Sequence, residues 1–283
     1  MVTAKDYAPA TAITWCPGCG NFGILNAFKK AVKQLEKKGI DREKIFMTAG
    51  IGQHAKVFDY ANLSGFYGLH GRSMATAQGI KLANPELKVI NFVGDGDAMG
   101  EGLEHVLFAA KRNADISVVM HNNGIYALTT GQRSPLSARG YRGPSTPWGS
   151  EEDPFNPLTL LMEAGATFVA RSYSGNIDHL ANTMVKAILH EGFSFIDVLQ
   201  VCITFNNKYQ EYNEMVEVMK TIPASHDEAL ALARKKDRLP IGIFCRVDKP
   251  AHHRALYGDW NPAKKRRTRK QRINKLEKLL LSV

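Results

Sequence analysis

A Gly-Asp-Gly-Asp run at residues 94–97 and an asparagine pair at residues 122–123 are the parts of this sequence best suited to chemistry. An apolar, partly β-branched stretch leads into each motif, and helical spacing lies between the two. Parallel strands joined by a helix form a right-handed crossover, so their carboxyl ends meet at one edge of the sheet. Open α/β sheets bind ligands at that edge. We therefore expect Asp95 and Asn123 to lie side by side.

The residue types at this edge suit Mg²⁺ that holds a diphosphate beside a helix N-terminus. Asp95 supplies a charged oxygen and the amide of Asn123 a neutral one, while the following turn can aim the carbonyl of Ile125 at the same ion. Mg²⁺ keeps few protein ligands when phosphates supply the rest of its oxygens. Gly94 and Gly96 leave room for a phosphate to approach the backbone. The plainer alternative is a strand–turn–helix with a capping aspartate, which the spacing of the two motifs disfavours.

Length and charge limit the classes of protein to which this chain can belong. The 283 residues suffice for one large α/β domain or two small ones. No stretch approaches the roughly 20 apolar residues of a membrane span, and residues 1–9 lack the apolar core of a signal peptide. We therefore expect a cytoplasmic protein without a membrane partner.

The formal net charge of +10 is concentrated at one end of the chain. Residues 264–278 hold nine Lys and Arg against one acid, so residues 1–262 are close to neutral. Such a run can contact nucleic acid, a membrane or an acidic partner, but no aromatic residues are interleaved for base recognition. We interpret it as a solvated terminal segment and expect no nucleic-acid partner. The chain then divides into a cofactor-binding domain, 1–262, and a basic C-terminal tail, 263–283.

The spacing of apolar residues predicts the elements that must position the candidate residues. The predicted helices cover residues 22–35, 74–83, 103–110, 157–164, 177–190, 208–219 and 226–236, and the predicted strands cover residues 44–48, 89–93, 116–120, 167–171, 195–199 and 241–244. We expect one α/β domain built on a doubly wound parallel sheet. Residues 127–157 show little periodicity, and a loop of that length is usually a lid or a partner contact.

The four cysteines suit a metal or redox site in a reducing compartment better than a disulfide framework. Cys16 and Cys19 form a Cys-x-x-Cys motif, which by itself leaves zinc, a redox dithiol and iron–sulfur ligation open. A thioredoxin-like pair would follow a strand directly, whereas this pair follows a loop. Cys245 lies in an apolar stretch, where a buried structural thiol is the expected case.

Further motifs accompany these residues in a single order along the chain. They are Trp15–Asn21, Gly50–Gly52, Leu69–Arg72, Gly94–Asp97, Asn123–Gln132, Ser134–Pro135, Asp153–Pro157 and Asp197–Cys202. Together they resemble the β subunit of 2-oxoacid:ferredoxin oxidoreductases, the subunit that binds thiamin diphosphate. The resemblance covers roughly residues 12–205 and implies the α/β fold of thiamin diphosphate-binding domains.

The resemblance implies three groups bound by this chain: thiamin diphosphate, Mg²⁺ and a [4Fe–4S] cluster. Asp95, Asn123 and Ile125 match the Mg²⁺ ligands, and His70 and Arg72 match catalytic positions on the diphosphate side of the cofactor. The segment 126–132 matches the part that covers the thiazolium ring and the substrate. The cofactor-binding positions implied in this way are Gly52, His70, Gly71, Arg72, Gly94, Asp95, Gly96, Asp97, Asn123, Ile125, Tyr126, Ala127, Leu128 and Thr129.

The cluster ligands depart from the family pattern at one position. Cys16, Cys19 and Cys202 match three ligands, but Gln53 stands where the family has its remaining cysteine, and His54 follows it. Four thiolates normally hold such a cluster. With three, the cluster is labile, uses His54 or another ligand that is not cysteine, or is absent. We expect a bound cluster with an unassigned fourth ligand.

The implied reaction is the oxidative decarboxylation of a 2-oxoacid with coenzyme A and ferredoxin, or its CO₂-fixing reverse. The matched region covers only the diphosphate-binding domain, so a separate α subunit is expected to supply the Glu that activates the cofactor. One alternative is a non-oxidative thiamin diphosphate-dependent decarboxylase subunit that lacks a cluster. Another is a non-catalytic regulatory or nucleic-acid-binding protein on a decayed scaffold, which the basic tail and Gln53 motivate and the retained Asp95 and Asn123 oppose.

Overall fold

Eight strands form one sheet within the described residues, 11–264 and 268–282, of the computed structural model. The strands are β1 (Ile45–Ala49), β2 (Ser64–Tyr67), β3 (Lys88–Gly94), β4 (Ser117–Asn122), β5 (Ile125–Tyr126), β6 (Gln132–Arg133), β7 (Phe168–Tyr173), β8 (Ser194–Leu199), β9 (Val216–Val218) and β10 (Leu239–Arg246). The sheet order is β2-β1-β3-β4-β8-β7-β10-β9, while β5 and β6 form a separate hairpin. Residues 1–9, where we expected no signal peptide, and 265–267 of the basic run lie outside the described residues.

Helices cover both faces of the sheet, as a doubly wound fold requires. They are α1 (Asn21–Lys37), α2 (Val57–Tyr60), α3 (Ser73–Ala83), α4 (Leu103–Lys111), α5 (Pro157–Glu163), α6 (Ile177–Leu189), α7 (Tyr209–Met215), α8 (His226–Ala233), α9 (His252–Tyr257) and α10 (Arg269–Leu280). On one face, α1 and α6 bury Phe28 and Met184 against the sheet. On the other face, α3, α4, α5 and α8 bury residues such as Val106, Leu161 and Leu230.

The predicted parallel sheet is confirmed for the six strands from β2 to β7 in the sheet order. The exception is β10, which pairs antiparallel with β7 and carries β9 in parallel on its other side. Strands β1, β3, β4 and β8 are parallel neighbours, so their carboxyl ends share one edge. The connection after β1 runs to β2 on one side, whereas the connection after β3 runs to β4 on the other side. Ligands bind at such a switch point in open α/β sheets.

The sequence-based boundaries were wrong or incomplete at several places, and the short helices α2 and α9 and the tail helix α10 were not predicted. The prediction omitted β2 because this edge strand is mostly exposed and lacks an alternating pattern. The helix expected over 208–219 ends at Met215, since Val216–Val218 pairs with β10 instead. The 127–157 loop region begins beside the β5–β6 hairpin, which periodicity did not reveal. A π-helical turn, Asp97–Glu101, precedes α4 and was also not predicted.

The basic tail begins beside the amino-terminal end of β3. Lys264 forms an ion pair with Glu86, and Asn261 Nδ2 lies 3.5 Å from Asn84 Oδ1. Helix α10 follows, and its apolar side chains Ile273 and Leu276 are exposed. No helix in the two described ranges is long and apolar enough to cross a membrane.

Candidate cofactor site

A cavity of about 510 Å³ opens at the carboxyl ends of β1, β3 and β4. Its lining residues are Ile51, Gly52, Gln53, His54, His70, Gly94, Asp95, Gly96, Asp97, His121, Asn123, Ile125, Tyr126, Ala127, Leu128 and Thr129. The structure therefore brings most of the predicted cofactor-binding positions together. Gly71 and Arg72 are the predicted positions that do not line this cavity.

Asp95 and Asn123 lie side by side at the edge of the sheet, as the strand arrangement predicted. The backbone N–H of Asn123 donates to Asp95 Oδ1 over 3.4 Å, and Asn123 Oδ1 accepts from the N–H of Ile125 over 3.0 Å. The side chain of Asp95 is almost fully buried, with 1% exposed. Burial raises the pKa of Asp95 to about 7, although the Ser134 hydroxyl and the Asn123 amide oppose this shift. A bound cation would favour the ionised carboxylate at this place.

Asp97 contacts the loops that surround the cavity. Its Oδ1 accepts hydrogen bonds from the N–H of Gly71 over 2.7 Å and of Ile51 over 3.2 Å. His54 Nε2 lies 3.5 Å from Oδ2, and His70 Nδ1 lies 3.2 Å from Oδ1. Burial opposes ionisation, but the hydrogen bond and charge of His54 and these amide donors outweigh it and lower the pKa of Asp97. Asp97, which we expected to bind the cofactor, therefore also connects the segment of Ile51 and His54 to the segment of His70 and Gly71.

Two glycines make the approach to Asp97 possible. A Cβ at Gly50 would lie 2.0 Å from Asp97 Oδ2, so no other residue fits between β1 and this carboxylate. Gly71 has a φ of 70°, and a Cβ there would lie 2.4 Å from the backbone of Glu101. Both glycines belong to motifs that the sequence analysis identified, and the structure supplies the packing reason for them.

His54 and His121 are cavity residues whose place the sequence analysis did not identify. Their ring centroids lie 5.8 Å apart, and His121 Nδ1 lies 2.8 Å from Asn21 Oδ1. Burial, together with the nearby His54, lowers the pKa of His121 well below its usual value, so the ring is neutral. His121 Nε2 is buried and has no hydrogen-bond partner among the described residues. The sequence offered one clue to the place of His121: it directly precedes the asparagine pair at the carboxyl end of β4.

The structure does not bring Arg72 to the cavity. Its Nη1 lies 2.8 Å from Glu104 Oε1 and 3.1 Å from the carbonyl oxygen of Glu101, on the outer side of the loop. His70 lines the cavity and is partly exposed, with its ring centroid 6.1 Å from that of Tyr126. The catalytic assignment of His70 and Arg72 stays a prediction.

The hairpin and the loop after it fold over the edge that carries Asp95. The Ser134 hydroxyl donates to Asp95 Oδ2, and the Ser137 hydroxyl donates to the carbonyl oxygen of Gly124 over 2.5 Å. Farther along, the N–H of Phe155 donates to the carbonyl oxygen of Pro135 over 3.0 Å. Ser134 was noted only as part of a motif, and its hydrogen bond to the predicted metal ligand emerges from the tertiary structure.

The three predicted cluster cysteines lie close together although they are distant in sequence. The N–H of Gly20 donates to the carbonyl oxygen of Val201 over 3.0 Å, which joins the first cysteine loop to the segment that carries Cys202. Burial raises the pKa of Cys19 to about 11, and the charges of Cys202 and Cys16 add to this shift. No group of three or more His, Cys, Asp and Glu side chains in the described part of the chain is arranged to hold a single metal ion.

Gln53 and His54, the residues at the predicted fourth ligand position, contact different parts of the protein. Trp15 Nε1 donates to the carbonyl oxygen of Gln53 over 2.9 Å, so Gln53 lies against the first cysteine loop. His54 instead contacts Asp97, and this contact disfavours it as the substitute ligand that the sequence left open. Cys245 lies on β10 and donates toward the carbonyl oxygen of Ala166 over 3.9 Å, in keeping with a structural thiol.

Comparison with known proteins identifies the family. Residues 48–198 match the family described as thiamine pyrophosphate enzyme, C-terminal TPP binding domain. A 2-oxoacid:ferredoxin oxidoreductase subunit beta from Saccharolobus solfataricus is 42% identical over 248 residues, covering 81% of this chain and 80% of that protein. The 2-oxoglutarate synthase subunit KorB of Methanothermobacter marburgensis is 37% identical over 249 residues and covers 86% of each chain. The chain belongs to the 2-oxoacid:ferredoxin oxidoreductase β-subunit family.

A solved structure extends this similarity beyond the motifs. The 2-oxoglutarate:ferredoxin oxidoreductase from Magnetococcus marinus, solved with 2-oxoglutarate, coenzyme A and succinyl-CoA bound, superposes with a TM-score of 0.88 at 33% identity. The match covers 97% of this chain and 96% of that chain. The likeness of this β-subunit family member to its relatives therefore reaches well past residue 205, where the sequence motifs ended.

The Asp97→Ala variant should be strongly destabilised. The substitution leaves the N–H of Gly71 and of Ile51 without their acceptor and removes the charge beside His54. We expect a loss of about 3 kcal/mol in the free energy of unfolding. Urea denaturation measures this loss. The control Asp259→Ala removes an exposed carboxylate near Arg254 and should change the value by less than about 0.5 kcal/mol. Equal stability of the two variants would contradict the role assigned to Asp97.

Proposed function

We propose that this chain binds thiamin diphosphate and Mg²⁺ for a coenzyme A-dependent 2-oxoacid:ferredoxin oxidoreductase, acting in oxidative decarboxylation or in the CO₂-fixing reverse. One observation carries the proposal: a buried carboxylate, Asp95, lies beside the amide of Asn123 in a cavity at the carboxyl edge of a parallel sheet. The family membership supports the same conclusion. The names of the relatives supply the acceptor, ferredoxin, and the substrate class, 2-oxoacids.

The residues in the cavity fit a metal-bound diphosphate. Asp95, the side-chain oxygen of Asn123 and the backbone carbonyl of Ile125 would hold Mg²⁺, which prefers oxygen ligands. Burial raises the pKa of Asp95 to about 7, and a divalent cation would stabilise its ionised form. The glycines at 94 and 96 keep side chains away from the backbone beside Asp95.

The chain's own residues then bind and orient the cofactor. Thiamin diphosphate, when bound, supplies the electron sink for loss of CO₂ from a 2-oxoacid. Asp97 holds the loops of Ile51 and Gly71 around the cavity, so the site is formed before the cofactor arrives. His121 presents a neutral, unpartnered Nε2 that can form a hydrogen bond with a polar group of the bound cofactor.

The activating carboxylate has to come from a partner. No Glu is among the residues that line the cavity in the described part of the chain. At the cavity mouth, Leu128 is about half exposed, and His70 is partly exposed. An α subunit that covers this mouth would supply the Glu and much of the pocket for the 2-oxoacid and coenzyme A. The relatives are themselves named as β subunits.

We further propose that Cys16, Cys19 and Cys202 bind an iron–sulfur cluster that passes electrons to ferredoxin. Burial first, and then the charges of the nearby Cys202 and Cys16, raise the pKa of the Cys19 thiol, and bound iron would favour its thiolate. Gln53 lies against the loop of Cys16 through its bond with Trp15, so the fourth side of the cluster would lack a thiolate. The cysteines are free, which suits the reducing cytoplasm.

Turnover of the assembled enzyme tests the proposed function. The chain, purified anaerobically with its α subunit, should reduce methyl viologen when a 2-oxoacid and coenzyme A are supplied. The isolated chain should not, because it lacks the activating Glu. Release of CO₂ without viologen reduction, from protein free of iron, would favour the non-oxidative decarboxylase instead.

The Asp95→Ala variant should lose Mg²⁺-dependent binding of thiamin diphosphate, since Asp95 is the charged side chain among the proposed ligands. Isothermal titration calorimetry, with and without Mg²⁺, measures the affinity. The surface variant Asp259→Ala serves as a control and should bind as the natural chain does. Unchanged affinity in Asp95→Ala would remove this carboxylate from the site.

The Gln53→Cys variant should hold iron more firmly than the natural chain, because a fourth thiolate would complete the ligand set. Anaerobically purified protein would be exposed to a chelator, and iron and sulfide would be measured over time. Gln53→Ser removes the amide without adding a thiolate, and it should lose iron at least as fast as the natural chain. Complete absence of iron from the natural protein would reject the cluster, whereas identical iron loss in all three proteins would place the fourth ligand elsewhere.

A further inference from the structure

The side chain and backbone of Asn123 are held by four different partners. Its N–H donates to Asp95 Oδ1 over 3.4 Å, and its carbonyl oxygen accepts from Asn206 Nδ2 over 2.8 Å. Its side-chain Oδ1 accepts from the N–H of Ile125 over 3.0 Å, and its Nδ2 donates to Gln200 Oε1 over 2.9 Å. The amide of Asn123 therefore has one defined orientation.

The orientation matters because the two ends of a carboxamide differ in chemistry but not in shape. The oxygen can bind a cation, whereas the NH₂ group is a donor that cannot. A half-turn about the last side-chain bond of Asn123 would place NH₂ where the oxygen has to be. The N–H of Ile125 already favours the orientation in which Asn123 Oδ1 faces it. Gln200 Oε1 adds a second constraint: it can only accept a hydrogen bond, so the NH₂ group of Asn123 has to face it.

Gln200 is itself held in place. It follows β8, is buried with 2% exposed, and its N–H donates to the carbonyl oxygen of Asn122 over 2.9 Å. Its Nε2 donates to the carbonyl oxygen of Val201 over 2.7 Å and lies 3.7 Å from Cys19 Sγ. Because these contacts occupy its NH₂ group, Oε1 is the end that faces Asn123.

We propose that Gln200 is a positioning residue that keeps the side-chain oxygen of Asn123 directed at the cation site. The proposal deepens the proposed function and rests on it. Gln200 is not among the residues that line the cavity, and it would act through its hydrogen bond with Asn123. It also joins the loop of Cys19 to the Asp95–Asn123 edge, so one buried amide links the two regions proposed to hold inorganic groups.

Gln200→Met tests the proposal with an almost isosteric side chain that has no acceptor oxygen. The complex of the full chain with its α subunit would be freed of metal, saturated with thiamin diphosphate and titrated with Mg²⁺ by calorimetry. We expect the Mg²⁺ affinity to fall about 10- to 100-fold, as when the partner of a metal ligand is removed. The matched control is Gln34→Met, which removes a hydrogen bond to Asn182 outside the cavity and should leave the Mg²⁺ affinity unchanged.

Gln200→Glu keeps an acceptor oxygen for Asn123 and should retain most of the Mg²⁺ affinity that Gln200→Met loses. This comparison remains decisive if the Met variant does not fold, because retained affinity is expected of the Glu variant alone. Affinity equal to that of the natural chain in Gln200→Met, or a loss in Gln200→Glu as large as that in Gln200→Met, would overturn the proposal. Thermal unfolding of each variant separates lost affinity from lost folding.

A double-mutant cycle with Asn123→Asp separates positioning from a general structural effect. A carboxylate presents an oxygen in either orientation, so adding Gln200→Met to Asn123→Asp should change the Mg²⁺ affinity by no more than about twofold. An equal loss in both backgrounds would show that Gln200 only supports the local structure. Failure of the natural complex to bind Mg²⁺ and thiamin diphosphate at all would instead overturn the proposed function, and the role of Gln200 with it.

Discussion

The shape of the site depends on the hydrogen bonds that the buried carboxylate of Asp97 accepts. Asp97 accepts hydrogen bonds from the loops after β1 and before α3, and it lies beside His54 and His70. Asp97 therefore joins the segment after β1 to the segment before α3. An ionised carboxylate in a buried place is costly unless several donors surround it. Backbone N–H groups of Ile51 and Gly71 meet this requirement. They reach Asp97 because Gly50 has no side chain that would fill the space beside the carboxylate.

Two aspartates separated by a single glycine thus have opposite environments. Asp97 is surrounded by donors that lower its pKa, whereas burial raises the pKa of Asp95 to about 7. Asp97 therefore stabilises the fold by holding the loops of Ile51 and Gly71, and Asp95 is suited to contact a cation. A single short motif supplies both the frame of the site and its proposed ligand: Asp95 directly follows β3, and Asp97 begins the π-helical turn.

The cysteine region is joined to this edge by a short chain of buried amides. Gln200 contacts Asn123 on one side and Cys19 on the other, and Trp15 bonds to the backbone of Gln53. The cysteine loops are therefore connected through Gln200 to Asn123, which lines the cavity. Gln53 lies where we predicted a fourth thiolate, and the loops of Cys16, Cys19 and Cys202 lie near one another.

The sequence by itself determined the α/β class, most of the helices and strands, and the pairing of Asp95 with Asn123. These features depend on local periodicity and on the general rule that parallel strands share a carboxyl edge. The sequence also predicted, from the resemblance, that Gln53 stands where the family has a cluster cysteine.

The tertiary structure alone decided the roles that depend on neighbours from distant segments. It placed His54 and His121 in the cavity, turned Arg72 toward Glu104, and gave Asp97, Ser134 and Gln200 their partners. It also made β10 antiparallel and converted Val216–Val218 into a strand. Hydrogen bonds and burial between residues far apart in the chain leave no periodic trace in the sequence, so only the folded chain reveals them.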